Sequence, residues 1–403
     1  MGCGAMFQRS IRSSAIKTGG RSMLDIETQI RSAFEKEQEL GRVPQSADDI
    51  PTSYEVITDK WLTAILASKV SGAKVVAHEL DVVDSGTTDR RRIMLTYNDA
   101  GQLAGLPPSV FCKAANSLEA RLLNARGGLS RGEYVFYRGF RDRFDIEAPV
   151  CLHAAFDPET FNSITVLADM ARDDVIFCSH DTPMTYERAR NQIRLLAQIH
   201  GPYYDSEEVA SASHVQTFEE LFANLDAWVH WEERCHKGFV QSQAYIPPAL
   251  FARIDEVWPA TEKALSLHSH LPRTFTHNDV HIRNWYLTRD GDMGLTDWQC
   301  FGRGHWARDF AYAVSTALTV EDRRAWEHQL LGEYLDAFRA AGGTAIDFDE
   351  AWLHYRQHLP TVLAFWTMTV AWVIAQPAAS YFELTKRIAT AMDDLGTLDS
   401  LSE

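Results

Sequence analysis

The chain reads as an α+β protein in which a small antiparallel sheet precedes a larger, mainly helical part. Three observations predict this. Between 73 and 168, alternating β-branched segments recur between turn residues; after 170 the apolar residues recur at helical spacing; and the helical part is interrupted by a single hairpin pattern at 284–298.

Taken in order, SYEVITDKWLTAILAS (53–68) predicts a helix that puts Trp61, Leu62 and Ile65 on one face, with Thr58 or Asp59 near its start. Strands follow at 73–84, 90–98 and 109–115, parted by Ser85-Gly86-Thr87-Thr88 and Leu106-Pro107-Pro108. A helix is expected from about 130 to 144. Two more strands, 150–156 and 162–168, turn at Asp157-Pro158. The expectation is a five-stranded sheet with one principal helix inserted between the third and fourth strands.

Beyond Met170, helices are expected at 185–200 and at 218–236, the latter behind Thr217 with Glu219 and Glu220 in its first turn. NWYLT, the turn at 289–292 and MGLTDW predict the hairpin. Helices resume at WARDFAYAVSTAL and at 320–341, which stops at Gly342-Gly343, and two more follow. The expected organisation is a leader over 1–22, which carries four basic residues and no acid and reads as disordered, an N-terminal lobe over 23–170 and a C-terminal lobe over 171–403.

Composition narrows the function. With 39 Lys and Arg against 55 Asp and Glu, the net charge is −16, which disfavours nucleic acid or an anionic membrane as a general partner. Six scattered cysteines without a C-x-x-C pair suggest reduced thiols and a cytoplasmic location. The most apolar stretch, Thr361 to Ala375, is too short for a bilayer span and reads as a core helix.

The chemistry gathers in FTHNDVHIRNWYLTRDGDMGLTDWQCFGRGHWARD (275–309). His277, Asp279 and Asn284 follow the order H-x-D-x-x-x-x-N, and Asp297 lies beyond the hairpin. A phosphoryl-transfer loop needs a carboxylate to accept a hydroxyl proton, which is Asp279's expected part. It also needs oxygen ligands for Mg²⁺, expected of Asn284 and Asp297. His277 is expected to brace the loop by hydrogen bonds. Asp309 is either a helix-start acid or a rigidifier of that loop. Upstream, Lys113 sits among apolar residues late in the third strand, and Glu133 on the following helix is in position to pair with it. The Ser85-Gly86-Thr87 turn is a candidate cover for phosphates, and Val166, Ala168 and Met170 form a candidate hinge offering backbone groups to adenine. The competing plain readings are an Asx turn at Asp279 and a snorkelling surface lysine at Lys113.

The stretch 276–313 resembles the catalytic core of the aminoglycoside phosphotransferase/choline kinase-like superfamily. Asp297-Trp298-Gln299, PPSVFCKAA, RGEYVFYRGF and AQIHGPYY are similar to its ecdysteroid kinase-like (CHK kinase-like) branch. The resemblance implies a protein-kinase-like bilobal fold that uses ATP and Mg²⁺ to phosphorylate a hydroxyl of a small molecule. Aminoglycoside-, macrolide-, choline- and steroid-like alcohols all fit that description. It further implies Asp279 as base, Asn284 and Asp297 as metal ligands, Lys113 and Glu133 as an ion pair, and Asp309 as the structural acid. Two positions depart from the pattern: Asn278 stands where H-G-D is usual, and Ala168 replaces the acid of L-E-D.

Two rivals remain from the residues alone. His277, Asp279 and His281 form an H-x-D-x-H that suits a zinc hydrolase, and a kinase-like fold can bind nucleotide without catalysis. The late aromatics Trp352, Tyr355, Phe365, Trp366 and Trp372 read either as core or as the wall of an acceptor pocket.

Overall fold

The computed structural model describes residues 23–172, 174–372 and 377–402; the leader at 1–22 and the end of the apolar stretch, 373–376, lie outside them. The described residues form two compact units. One holds 23–143 and 149–175, the other Phe144–Ala148 and 176–402.

The first unit is built on a five-stranded antiparallel sheet. Its strands are β1 (Val75–Ser85), β2 (Asp89–Tyr97), β3 (Ser109–Ala114), β4 (Cys151–Phe156) and β5 (Ser163–Ala168), in the order β1-β2-β3-β5-β4. The inner strands β3 and β5 are nearly buried throughout, as their apolar runs require. One face packs Val110, Cys112, Ile164 and Val166 against Tyr54, Trp61 and Leu62. Helix α1 (Met23–Leu40) packs Ile26 and Ile30 on Leu122 and Ala125. The helix expected from 53 starts later: Thr58 caps α2 (Asp59–Leu66) by accepting the Trp61 N–H, and Tyr54–Val56 is a separate 3-10 turn.

The helix expected at 130–144 is corrected. Ser117 caps α3 (Leu118–Gly127), Gly128 breaks it at φ +67, and α4 (Leu129–Val135) continues into a wider turn over Phe136–Phe140. Only glycine adopts that left-handed angle without a Cβ penalty, so the break falls there.

In the second unit β6 (Ile176–Phe177) adds to the hairpin of β8 (Trp285–Leu287) and β9 (Met293–Leu295), while β7 (Thr274–Thr276) pairs with β10 (Gly302–Gly304). The expected hairpin forms, with Trp285 opposite Leu295 and Leu287 opposite Met293. Phe144–Ala148 joins this unit because the Leu295 N–H donates to the Glu147 carbonyl (3.0 Å) and the Tyr286 hydroxyl to its carboxylate (2.7 Å).

The helices are α5 (Tyr186–His200), α6 (Phe218–Val229), α7 (Trp231–Gln241), α8 (Ile254–His268), α9 (Trp306–Ala317), α10 (Val320–Ala340), α11 (Phe348–Ala371) and α12 (Ala378–Asp394). Thr217 and Glu220 form a capping box on α6. The single helix expected over 218–236 is in fact two, parted at His230, φ +51. The turn lets Trp231 bury completely, stacked on Phe222 at 4.7 Å, while Asp226 accepts its backbone N–H. The apolar stretch starting at Thr361 lies in α11, which approaches α7 so closely that a Cβ on Gly238 would meet the Thr367 carbonyl oxygen at 1.7 Å. No helix among the described residues is long and apolar enough to cross a membrane.

Candidate active site

The loop between β7 and β8 is held from below by one helix. Asp309, in the first turn of α9 and wholly buried, accepts the backbone N–H of His277 at 2.7 Å on one oxygen and of Asn278 at 2.9 Å on the other. Its first oxygen also meets His200 Nε2 at 3.3 Å. Burial alone would raise its pKa, but the hydrogen bond and charge from His200 outweigh that and hold the carboxyl below its usual value.

His277 is a brace. Its Nδ1 accepts the Asp279 N–H (3.2 Å), so Nε2 carries the proton and donates to the Thr296 carbonyl (3.0 Å). Its burial keeps it neutral, lowering its pKa against the pull of Asp309 and Asp279. Thr296 donates its own N–H to the Asn284 carbonyl (2.9 Å). The residue before Asp297 is thereby tied to both ends of the loop.

Asp279 and Asn284 touch. The Asn284 amide nitrogen donates to the Asp279 carbonyl (2.7 Å) and to Asp279 Oδ2 (3.2 Å), which turns the amide oxygen outward as the atom suited to a metal. The Tyr312 hydroxyl, from α9, donates to Asp279 Oδ1 at 3.1 Å. His281 lies 3.7 Å from Asp279 Oδ2 and packs edge-on against Trp366 at 5.4 Å between ring centres. Asp297 sits in left-handed backbone, φ +64, a region that Asp and Asn enter more readily than other residues with a Cβ. Its charge and that of Asp279 both bear on His281 and on the half-buried Cys300 thiol, which desolvation first, and these carboxylates next, push well up. The carboxamide oxygen of Asn284 and the carboxylates of Asp279 and Asp297 are the oxygen donors that suit a hard cation such as Mg²⁺. Zinc fits poorly: both His277 ring nitrogens are engaged, and no three His, Cys, Asp or Glu among the described residues are arranged to hold a metal.

Asn278 also occupies left-handed backbone, φ +66. That region is routine for glycine and tolerated by asparagine, whose amide here donates to the Cys300 carbonyl (3.1 Å). The departure from H-G-D is therefore accommodated within the loop.

In the sheet unit, Lys113 Nζ lies 2.7 Å from Glu133 Oε1, and both residues are buried. The Ser85-Gly86-Thr87 turn closes the β1–β2 hairpin. Gly86 N–H donates to the Thr88 carbonyl, and buried Asn124 donates to the Thr87 carbonyl at 2.7 Å; the Ser85 side chain lies outside the described residues. Of the hinge candidates, Val166 is misplaced: β5 is flanked by β3 and β4, so its peptide groups lie inside the ladders. Ala168 ends the strand with its N–H on the Val150 carbonyl, and Met170 opens the turn beyond. The Asp of that L-E-D pattern is kept as Asp169, and only the middle acid is absent. Buried Asp169 accepts from Ser109 (2.6 Å) and Arg92 (2.8 Å), which against the effect of burial keep its pKa down. Among the late aromatics, Tyr355 and Trp366 are buried and Phe365 packs on Phe218, Phe222 and Trp231, so these three are core.

Sequence reasoning missed Tyr312, Arg308 and His200. Tyr312 lies one helical turn past Asp309, so a helical projection from that acid would have singled it out. No sequence signal points to His200.

A family comparison agrees with this geometry. Residues 171–355 match the phosphotransferase enzyme family, APH. The matched stretch contains every loop residue from His277 to Tyr312 and does not reach Lys113 or Glu133. It does not single out the ecdysteroid kinase-like branch. No curated protein sequence matches the chain. Among solved structures, a putative aminoglycoside phosphotransferase from Ralstonia eutropha is similar at 14% identity and TM-score 0.48, over 84% of this chain and 97% of that one. Choline kinase from Cryptosporidium parvum is similar at 14% identity and 0.46, over 80% and 89%. Choline kinase LicA from Streptococcus pneumoniae is similar at 11% and 0.43, over 79% and 94%.

Proposed function

We propose that this protein is a small-molecule kinase that transfers the γ-phosphoryl group of ATP to an alcohol. The observation that carries the reading is the hold on Asp279: Tyr312 on one carboxylate oxygen, Asn284 on the other, and the backbone beneath it fixed by Asp309. A loop carboxylate serving only as a turn former needs no such support.

Asp279 orients the acceptor hydroxyl and takes its proton at a carboxylate oxygen. Asn284, through its amide oxygen, and Asp297 would hold Mg²⁺, which would supply charge neutralisation at the phosphates. Lys113, held in place by Glu133 at 2.7 Å, is the sheet unit's cation for nucleotide phosphate. Asp309 and His277 do no chemistry; they keep the loop from reorganising. Positioning and charge neutralisation supply most of the rate.

The acceptor class is an alcohol of the aminoglycoside, macrolide, choline or steroid kind. Incubating the protein and Mg·ATP with a panel of such alcohols, and reading the mass gain of one phosphoryl group, tests the proposal. Transfer that survives Asp279→Asn unchanged refutes the assignment of the base.

A further inference from the structure

Three residues of α9, within one turn and a half, each hold a different part of the tripeptide 277–279. Asp309 takes the N–H groups of His277 and Asn278, and Tyr312 takes the Asp279 carboxylate. Arg308 donates from Nη1 to the Asn278 carbonyl at 2.5 Å. The peptide unit between Asn278 and Asp279 is therefore gripped at both ends, its oxygen by Arg308 and its N–H by His277 Nδ1. That grip fixes the torsions on either side of this peptide, ψ of Asn278 and φ of Asp279, beside a residue already in left-handed backbone at φ +66.

Arg308 is only 1% exposed, and no carboxylate among the described residues lies within ion-pair range of it. Its charge rests on rings, 3.9 Å from the centre of Phe218, 5.0 Å from Phe365 and 5.2 Å from Tyr312. Its Nε and Nη2 find no protein partner. The guanidinium borders a cavity of about 10 Å³, the size of one water, also lined by Glu219, whose carboxylate lies 3.5 Å from Arg273, and by His268, His305 and His358. These imidazoles are neutral: burial lowers all three, His268 to about 3. His305 Nδ1 accepts the Ala307 N–H, so His358 must donate to it through Nε2 at 3.3 Å. Asp309 and Asp279 act on it only through space, and a buried guanidinium without a direct carboxylate partner is costly, so packing alone does not call for one here.

We propose that Arg308 is a positioning residue for phosphoryl transfer, locking the 278–279 peptide so that Asp279 faces the acceptor. This rests on the kinase reading, but its test is separable from it. The full chain is compared with Arg308→Met, which keeps the length and apolar stem, and Arg308→Lys, which keeps the charge. Turnover of Mg·ATP is measured with water as acceptor. In Arg308→Met, kcat is expected to fall about 10- to 100-fold, with KM for ATP changed by no more than about twofold. Arg308→Lys is expected to recover part of the loss. An unchanged kcat, or a loss confined to KM, overturns the proposal.

A second arm needs no catalysis. Hydrogen exchange of the 277–279 amides is expected to be faster in Arg308→Met than in the wild type, measured on folded protein, with Arg308→Lys between. Equal exchange in all three overturns the proposal whether or not ATP turns over. A wild-type protein that neither binds nor turns over Mg·ATP sinks the kinase reading and with it the catalytic role, and the exchange comparison then decides only whether Arg308 locks the 278–279 peptide.

Discussion

Replacing Asp309 with asparagine tests the foundation of the site. The carboxylate, fully buried, accepts two backbone N–H groups at 2.7 and 2.9 Å and meets His200 at 3.3 Å. Asparagine keeps one oxygen and turns an NH₂ group toward the second amide. One charge-assisted hydrogen bond is lost, about 1.5–3 kcal/mol, and a buried N–H is left unmet, about 1–3 kcal/mol more. The expected destabilisation is about 3–5 kcal/mol, a large fraction of the about 5–15 kcal/mol typical of a folded domain. Urea unfolding followed by tryptophan fluorescence reads it, since Trp298 and Trp306 are buried beside the loop and the His277 ring lies 4.6 Å from Trp298. Because the folded pKa of Asp309 is depressed, its contribution is present above the ordinary carboxylate value and is lost as pH falls through the folded value. The acid limb of the stability profile should therefore flatten in the variant. A destabilisation under about 1 kcal/mol, with an unaltered acid limb, would refute the claim that this carboxylate carries the loop.

The remaining predictions concern other parts of the molecule. Lys113→Met removes the ammonium 2.7 Å from the buried Glu133 carboxylate and should cost about 3–5 kcal/mol in thermal or urea unfolding, whereas a paired change of both to apolar residues should cost much less. Gly302→Ala should cost about 1–3 kcal/mol and lower turnover, because its Cβ would lie 2.9 Å from both the Asn278 amide nitrogen and the Gln216 carbonyl; unchanged stability and rate would show that the loop yields freely. His268 is neutral when folded, with its pKa lowered to about 3, while the unfolded chain protonates it below about 6.5. Stability tied to it is therefore lost as pH falls from about 6.5, by about 2 kcal/mol at pH 5, and His268→Gln should remove that slope from the urea midpoints.

Much of this was legible in local patterns. The five strands of the sheet lie within a few residues of their expected bounds, because β-branched alternation and the Ser85-Gly86 and Pro107-Pro108 breaks are properties of short segments. The breaks at Gly128 and His230 were not. Each is a single left-handed residue whose benefit is burial elsewhere, as with Trp231 on Phe222. At the site, the spacing of His277, Asp279, Asn284 and Asp297 carries its own chemistry, so those residues could be singled out from the sequence. Arg308 and Tyr312 are ordinary helix residues until the fold sets them under the loop, and His200 reaches Asp309 across 109 positions. Val166 failed as a hinge candidate because strand order, which no local pattern encodes, placed β5 between two partners.

Binding and transfer measured together in Asp279→Asn and Asp297→Ala test the central claim most directly. With Mg·ATP, calorimetry should show that Asp279→Asn binds as the wild type does while its phosphoryl transfer falls by orders of magnitude, and that Asp297→Ala loses Mg-dependent nucleotide binding. Wild-type transfer in the first variant, or unaltered Mg·ATP affinity in the second, would contradict the account.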